Sequence, residues 1–122
     1  MPSPTLPSPT LDDLLEVVLK FRDDREWRQF HNPKDLALTL VLEAGEVLEH
    51  MQWRSGKELR DHVKKRHKEI SHELADVLHV LLLLAEDLKV DLPRAFEEKM
   101  RINERKYPVH KARGSAKKYT EL

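Results

Sequence analysis

The sequence predicts an all-α protein, a bundle of four helices. Three observations lead there. Apolar residues recur at steps of three and four along most of the chain. The seven Pro and three Gly lie mostly at the ends and junctions of those patterned stretches. No run of alternating apolar and polar residues between turn residues marks a strand. With 122 residues the chain suits one domain. Folding would take roughly two thirds of its unfolded surface out of water, enough for one core.

Residues 1–9 repeat Pro, Ser and Thr and have nothing to bury, which predicts a flexible leader. Thr10 followed by Asp13 reads as a capping box. Leu11, Leu14, Leu15 and Val18 then form the stripe of a first helix that should end near Trp27. In "HNPKD", Asn32 suits a cap and Pro33 the first turn of a second helix. That helix should run from about 33 to 54 and stop at Ser55-Gly56. "KELRDHVKKRHK", 57–68, is highly charged and fits either a solvated approach or a loop with a helical turn. From Ile70 a third, strongly apolar helix follows, with Leu74, Val77, Leu78, Leu81, Leu84, Ala85 and Leu88 as its buried stripe. Asp91 and Pro93 open a fourth, through Ala95, Phe96 and Met100 to about Arg105, and Pro108 ends it. The helical domain is thus expected over 10–108, with a basic tail over 109–122. Short connections between four helices make a bundle.

Composition narrows the chemistry. Lys and Arg total 22 against 22 Asp and Glu, so no basic footprint for nucleic acid is expected. Without cysteine there is neither a disulfide framework nor thiolate catalysis. The longest apolar run, "VLLLLA", is far below the roughly 20 residues needed to span a bilayer. "MPSPTLPSPT" lacks the basic and apolar regions of a signal peptide. The cytoplasm is the expected compartment, with no membrane partner.

The chemistry points to acids at the borders of apolar stripes. Positions three apart lie about 60° apart around a helix. Glu43 and Glu46 therefore share one edge of the second helix, and Glu73 and Asp76 one edge of the third. Packing the two helices would bring four carboxylates together, a costly arrangement without a counter-ion. A hard divalent cation such as magnesium would relieve it. The same spacings are also ordinary on exposed helix faces, and spacing alone leaves both readings open. A di-iron reading uses Glu69 with His72 and Asp76 with His79, but both pairs fall on one helix, whereas such sites draw them from two, and the second helix offers Glu46 with His50 at the wrong spacing. His62 and His67 read as solvent-facing.

Trp27, Phe30 and His31 cluster at the end of the first helix and Trp53 ends the second. They fit core closure or, alternatively, a slot for a flat base, where stacking contributes about 1–3 kcal/mol per base. Lys99, Asn103 and Lys106, spaced by four and three, share a face next to Tyr107. That face is either a solvated basic stripe or a seat for phosphate oxygens.

Together, "EAGE" followed by "ELAD" resembles the E-x-x-E, E-x-x-D signature of the all-α nucleoside triphosphate pyrophosphohydrolases, the MazG-like superfamily. "EWRQFH", "MQW", "VDLPRAFEEKM" and "KYPVHKARGSAKKY" extend the resemblance to the dCTP pyrophosphatase branch, over nearly everything after position 11. The resemblance implies that dCTP, or a modified dCTP, reacts with water to give the monophosphate and pyrophosphate. It implies Mg2+ held by Glu43, Glu46, Glu73 and Asp76, which would also form the catalytic set. It implies that Trp27, His31 and Trp53 enclose the base, and that Lys99, Asn103, Lys106 and Tyr107 hold phosphates and sugar. It further implies a homo-oligomer, a dimer of dimers with sites between subunits. Two features depart from the pattern: the charged stretch 54–69, and a first helix with no His before His31, which leaves the fine base preference open. A non-catalytic helical scaffold, or a nucleotide sensor without turnover, is the alternative.

Overall fold

The computed structural model describes residues 8–122; the expected leader, 1–9, lies outside them except for Ser8 and Pro9. Two compact units divide the chain, one up to Lys89 and the other Val90–Leu122. Among the described residues every regular element is helical.

In the first unit, α1 spans Leu11–Asp24. Its capping box is formed: Thr10 Oγ1 accepts from the Asp13 amide at 3.1 Å, and Asp13 Oδ2 accepts from the Thr10 amide at 2.9 Å. The helix stops short of Trp27 because Glu26 turns left-handed, at φ 54°. Trp27–Phe30 then form a separate 3-10 turn. α2 spans Pro33–Met51, with the Asn32 side chain accepting from the Asp35 amide at 2.9 Å and proline in the first turn. It ends before the expected 54, since Gln52 is already extended and Trp53 is left-handed at φ 66°. Arg54 Nη1 then bonds the His50 carbonyl at 3.0 Å, filling one of the open acceptors of the helix end.

Ser55-Gly56 does not terminate a helix but starts one. The stretch expected as a solvated approach is a ten-residue helix, α3, over Gly56–Lys65. Only Leu59, His62 and Val63 give it a half-buried stripe, too short a pattern to stand out among so many charges. α4 spans His67–Asp87 and is the hub on which α1, α2 and α3 pack, α2 most extensively.

The core consists of Leu36 from α2 and Ile70, Val80, Leu82, Leu83 and Ala85 from α4. Each buried Leu, Ile or Val side chain contributes about 1.5–3 kcal/mol. The expected stripe on this helix needs correction: Leu74 is 55% exposed and Leu88 51%, while Val80, Leu82 and Leu83 are buried. The C-terminal half of α4 is covered around most of its circumference, so a single stripe does not describe it. On α2, Leu38, Val41, Leu42 and Leu48 are all more than half exposed and follow one face. Gly45 lies in the same face, with open space where a Cβ would stand.

The second unit contains α5, Leu92–Lys106, capped by Asp91, whose Oδ1 accepts from the Arg94 amide at 3.2 Å. A short α6, Val109–Ala112, and a 3-10 turn, Tyr119–Glu121, follow. Tyr119 folds back within this unit, edge-on to Tyr107 at 5.9 Å and 4.6 Å from Lys106 Nζ. No described helix is long and apolar enough to cross a membrane.

Candidate active site

α2 packed along α4 brings the two acid pairs into one electrostatic neighbourhood. Glu43 and Glu73 are half-buried, while Glu46 and Asp76 stay exposed at the rim. Glu43 feels all the others: burial first, then the charges of Glu46, Asp76 and Glu73, raise its carboxyl above the ordinary carboxylate range. Glu43 Oε2 and Glu73 Oε2 are buried without a hydrogen-bond partner. Buried polar atoms of a folded protein are nearly always paired, so the orphaned Glu43 Oε2 inside this acid cluster marks an unmet demand for positive charge.

The donor set fits a hard divalent cation. The side chains are not already drawn into a cage: among the described residues no group of three or more acidic or histidine side chains is clustered so as to hold a metal by itself. Magnesium does not require one, because it keeps several waters and is held by one or two carboxylates together with substrate phosphates. The di-iron arrangement fits less well. Arg66 Nη1 occupies Glu69 Oε1 at 2.8 Å, and the His79 ring packs edge-on to Phe21 at 5.7 Å.

The sequence reading missed a histidine pair beside these acids. His50 Nε2 lies 2.7 Å from Glu73 Oε2. The two atoms approach closely without completing a hydrogen bond. On its other side, His50 Nδ1 lies 3.0 Å from His62 Nε2. His62 is therefore half-buried instead of solvent-facing. Burial, then Arg54 and His50, hold its pKa below that of a free imidazole. An open cavity of about 380 Å³ lies beside the pair, lined in part by Glu46, Arg54, Arg66 and Glu73. Glu46 and His50, one helical turn apart on α2, carried the only sequence signal.

The aromatic residues separate into two places. Trp27, 46% exposed, meets Phe21 edge-on at 5.8 Å, and Arg25 covers the Phe21 ring at 3.7 Å. His31 is half-buried nearby, with Nδ1 unpartnered. Burial and then the buried Arg22 lower its pKa, against a smaller opposite pull from Asp87. Trp53 stands apart, 91% exposed on a left-handed backbone that a bulky residue rarely adopts. In the second unit, Lys99 is exposed, Asn103 half-buried, and Lys106 and Tyr107 lie against Tyr119.

The sequence was compared with known proteins. The MazG-like family model matches residues 38–122. dCTP pyrophosphatase 1 of Rattus norvegicus is 46% identical over 118 residues, which cover 95% of this chain and 69% of the relative. The Homo sapiens protein of the same name is 44% identical with the same coverage. Among solved structures, a pyrophosphatase from Archaeoglobus fulgidus superposes with a TM-score of 0.76 at 37% identity, over 87% of this chain and 99% of that one. The acid pairs on α2 and α4, the all-helical fold and these identities lead to one conclusion: the chain belongs to the MazG-like family.

Proposed function

We propose that this protein is a nucleoside triphosphate pyrophosphohydrolase that converts dCTP and water to dCMP and pyrophosphate, clearing surplus nucleotide from the pool. The observation that carries the chemistry is Glu43 Oε2, buried without a hydrogen-bond partner among four acids on two packed helices. The choice of dCTP draws on the relatives, which bear the name dCTP pyrophosphatase 1 at 43–46% identity.

In this proposal Glu43, Glu46, Glu73 and Asp76 hold Mg2+. Bound there, the ion would supply charge neutralisation and polarisation of the triphosphate and a lowered pKa for a water. The protein's own groups supply the rest. The rim carboxylates Glu46 and Asp76 face solvent and can accept a proton from water approaching the α-phosphorus. Trp53 offers a bare indole face for the base, and Trp27 with His31 a second aromatic wall. Lys99, Asn103, Lys106 and Tyr107, gathered along α5, supply donors for phosphate and sugar oxygens. Lys106 already rests on the Tyr119 ring, so a phosphate would draw it from an aromatic partner.

The apolar face of α2 belongs to the same reading. Leu38, Val41, Leu42 and Leu48 form a wider exposed stripe than a lone domain leaves open. A second copy of the chain covers it, in a dimer that pairs again to a tetramer working in the cytoplasm. The test is a panel of nucleoside triphosphates with Mg2+ and identification of the products. Pyrophosphate and dCMP from dCTP support the assignment; orthophosphate, or no turnover with any triphosphate, refutes it.

A further inference from the structure

α3 is the most charged helix of the first unit and adds little to its core, so what it contributes needs an explanation. Its half-buried histidine, His62, completes a row across three helices: His62 on α3, His50 on α2 and Glu73 on α4. We propose that His62 and His50 are positioning residues that fix the Glu73 carboxylate for its divalent cation. This rests on the reading of Glu73 as a cation ligand.

The proton arrangement follows from the contacts. A neutral imidazole has one N–H and one lone pair. For His50 to turn a proton-bearing Nε2, and not a lone pair, to the carboxylate side, its Nδ1 must accept. The atom facing Nδ1 is His62 Nε2, at 3.0 Å, which must then be the donor. His62 thereby selects the tautomer of His50, and a depressed pKa keeps His62 neutral for that role. At the other end the 2.7 Å contact limits where Glu73 can swing, yet it leaves Oε2 without a completed hydrogen bond and so free to take a ligand. The neighbouring cations do not compete for this place. Arg54 is engaged with the His50 carbonyl at 3.0 Å and Arg66 with Glu69 at 2.8 Å. Outer partners of this kind orient ligating carboxylates, and their loss typically lowers metal affinity about 10- to 100-fold.

The experiment measures Mn2+ binding to the full chain without nucleotide, by the electron paramagnetic resonance signal of the free ion. His62→Phe keeps the ring shape without its nitrogens, His62→Gln restores an amide donor near Nε2, and His50→Leu removes the nitrogens facing Glu73. The expected result is Mn2+ affinity about tenfold or more weaker in His62→Phe and His50→Leu, and within about threefold of the parent in His62→Gln. Circular dichroism reports whether each variant is folded, and His50→Leu decides the matter if His62→Phe is not. Unchanged affinity in the folded phenylalanine and leucine variants overturns the proposal, as does a glutamine variant as weak as phenylalanine. Glu73→Gln separates this outcome from failure of the cation reading. If it binds Mn2+ like the parent, Glu73 is not a ligand and both readings fall; if it alone loses affinity, only the histidine row falls.

Discussion

Leu42 belongs to the exposed face of α2 and is 69% exposed in the single chain. Full burial of a leucine is worth about 1.5–3 kcal/mol, so covering the exposed part yields roughly 1–2 kcal/mol. In a two-fold dimer the residue occurs twice. Leu42→Lys therefore removes about 2–4 kcal/mol from the association, before any cost of desolvating the ammonium. At about 1.4 kcal/mol per tenfold, the dimer dissociation constant should rise roughly 30- to several-hundred-fold. Sedimentation equilibrium over a range of protein concentrations reads this directly. Far-UV circular dichroism at each concentration confirms that the protomer is folded. A parent chain that is monomeric at tens of micromolar, or a lysine variant that assembles as tightly as the parent, would show that this face is not the interface.

Four further outcomes test the site and its supports. Glu46→Gln and Asp76→Asn should each abolish pyrophosphate release from dCTP with the helical content unchanged, as measured by product chromatography and circular dichroism. Glu43→Gln should raise the metal-free melting temperature near neutral pH. The folded-state pKa of Glu43 is raised, so its charge costs stability above that value, the cost fades as pH falls, and it is gone below the ordinary 4.5. The variant's advantage should accordingly shrink to nothing in acid, and an equal advantage at all pH values would contradict the assignment. Trp53→Gly should weaken nucleotide binding by about 1–3 kcal/mol through lost stacking. The same change should raise thermal stability slightly, because glycine adopts the left-handed backbone without strain. Unchanged affinity by calorimetry would remove Trp53 from the base site. Thr10→Ala should lower the unfolding free energy by about 1 kcal/mol in urea titration, through loss of the capping box.

Much of this arrangement could be read from residue types and spacing. Thr10 and Asp13, Asn32 with Pro33, and Asp91 announce helix starts through short-range chemistry, and each forms the bond expected of it. The acid pairs were legible because a three-residue step fixes a common edge on any helix. Helix ends were harder. α1 and α2 stop at left-handed residues, Glu26 and Trp53, whose types do not favour that conformation. α3 was hidden because three half-buried positions among many charges make almost no periodic signal. Which side of α4 is buried depends on what packs around it, so Leu74 is exposed against expectation while Val80, outside the expected stripe, is buried. The histidine row was beyond the reach of spacing, since His50 and His62 sit on different helices and meet only in three dimensions.

α4 is anchored at two places, Ile70 near its start and Val80–Ala85 further on, while none of the nine intervening positions is fully buried. Glu73 and Asp76 stand in that span. The hub thus resembles a beam clamped at both ends, whose middle carries the two acids without bearing the weight of the core. Neighbouring positions such as His72, Leu74 and Ala75 can therefore vary during adaptation to a new nucleotide at little risk to folding.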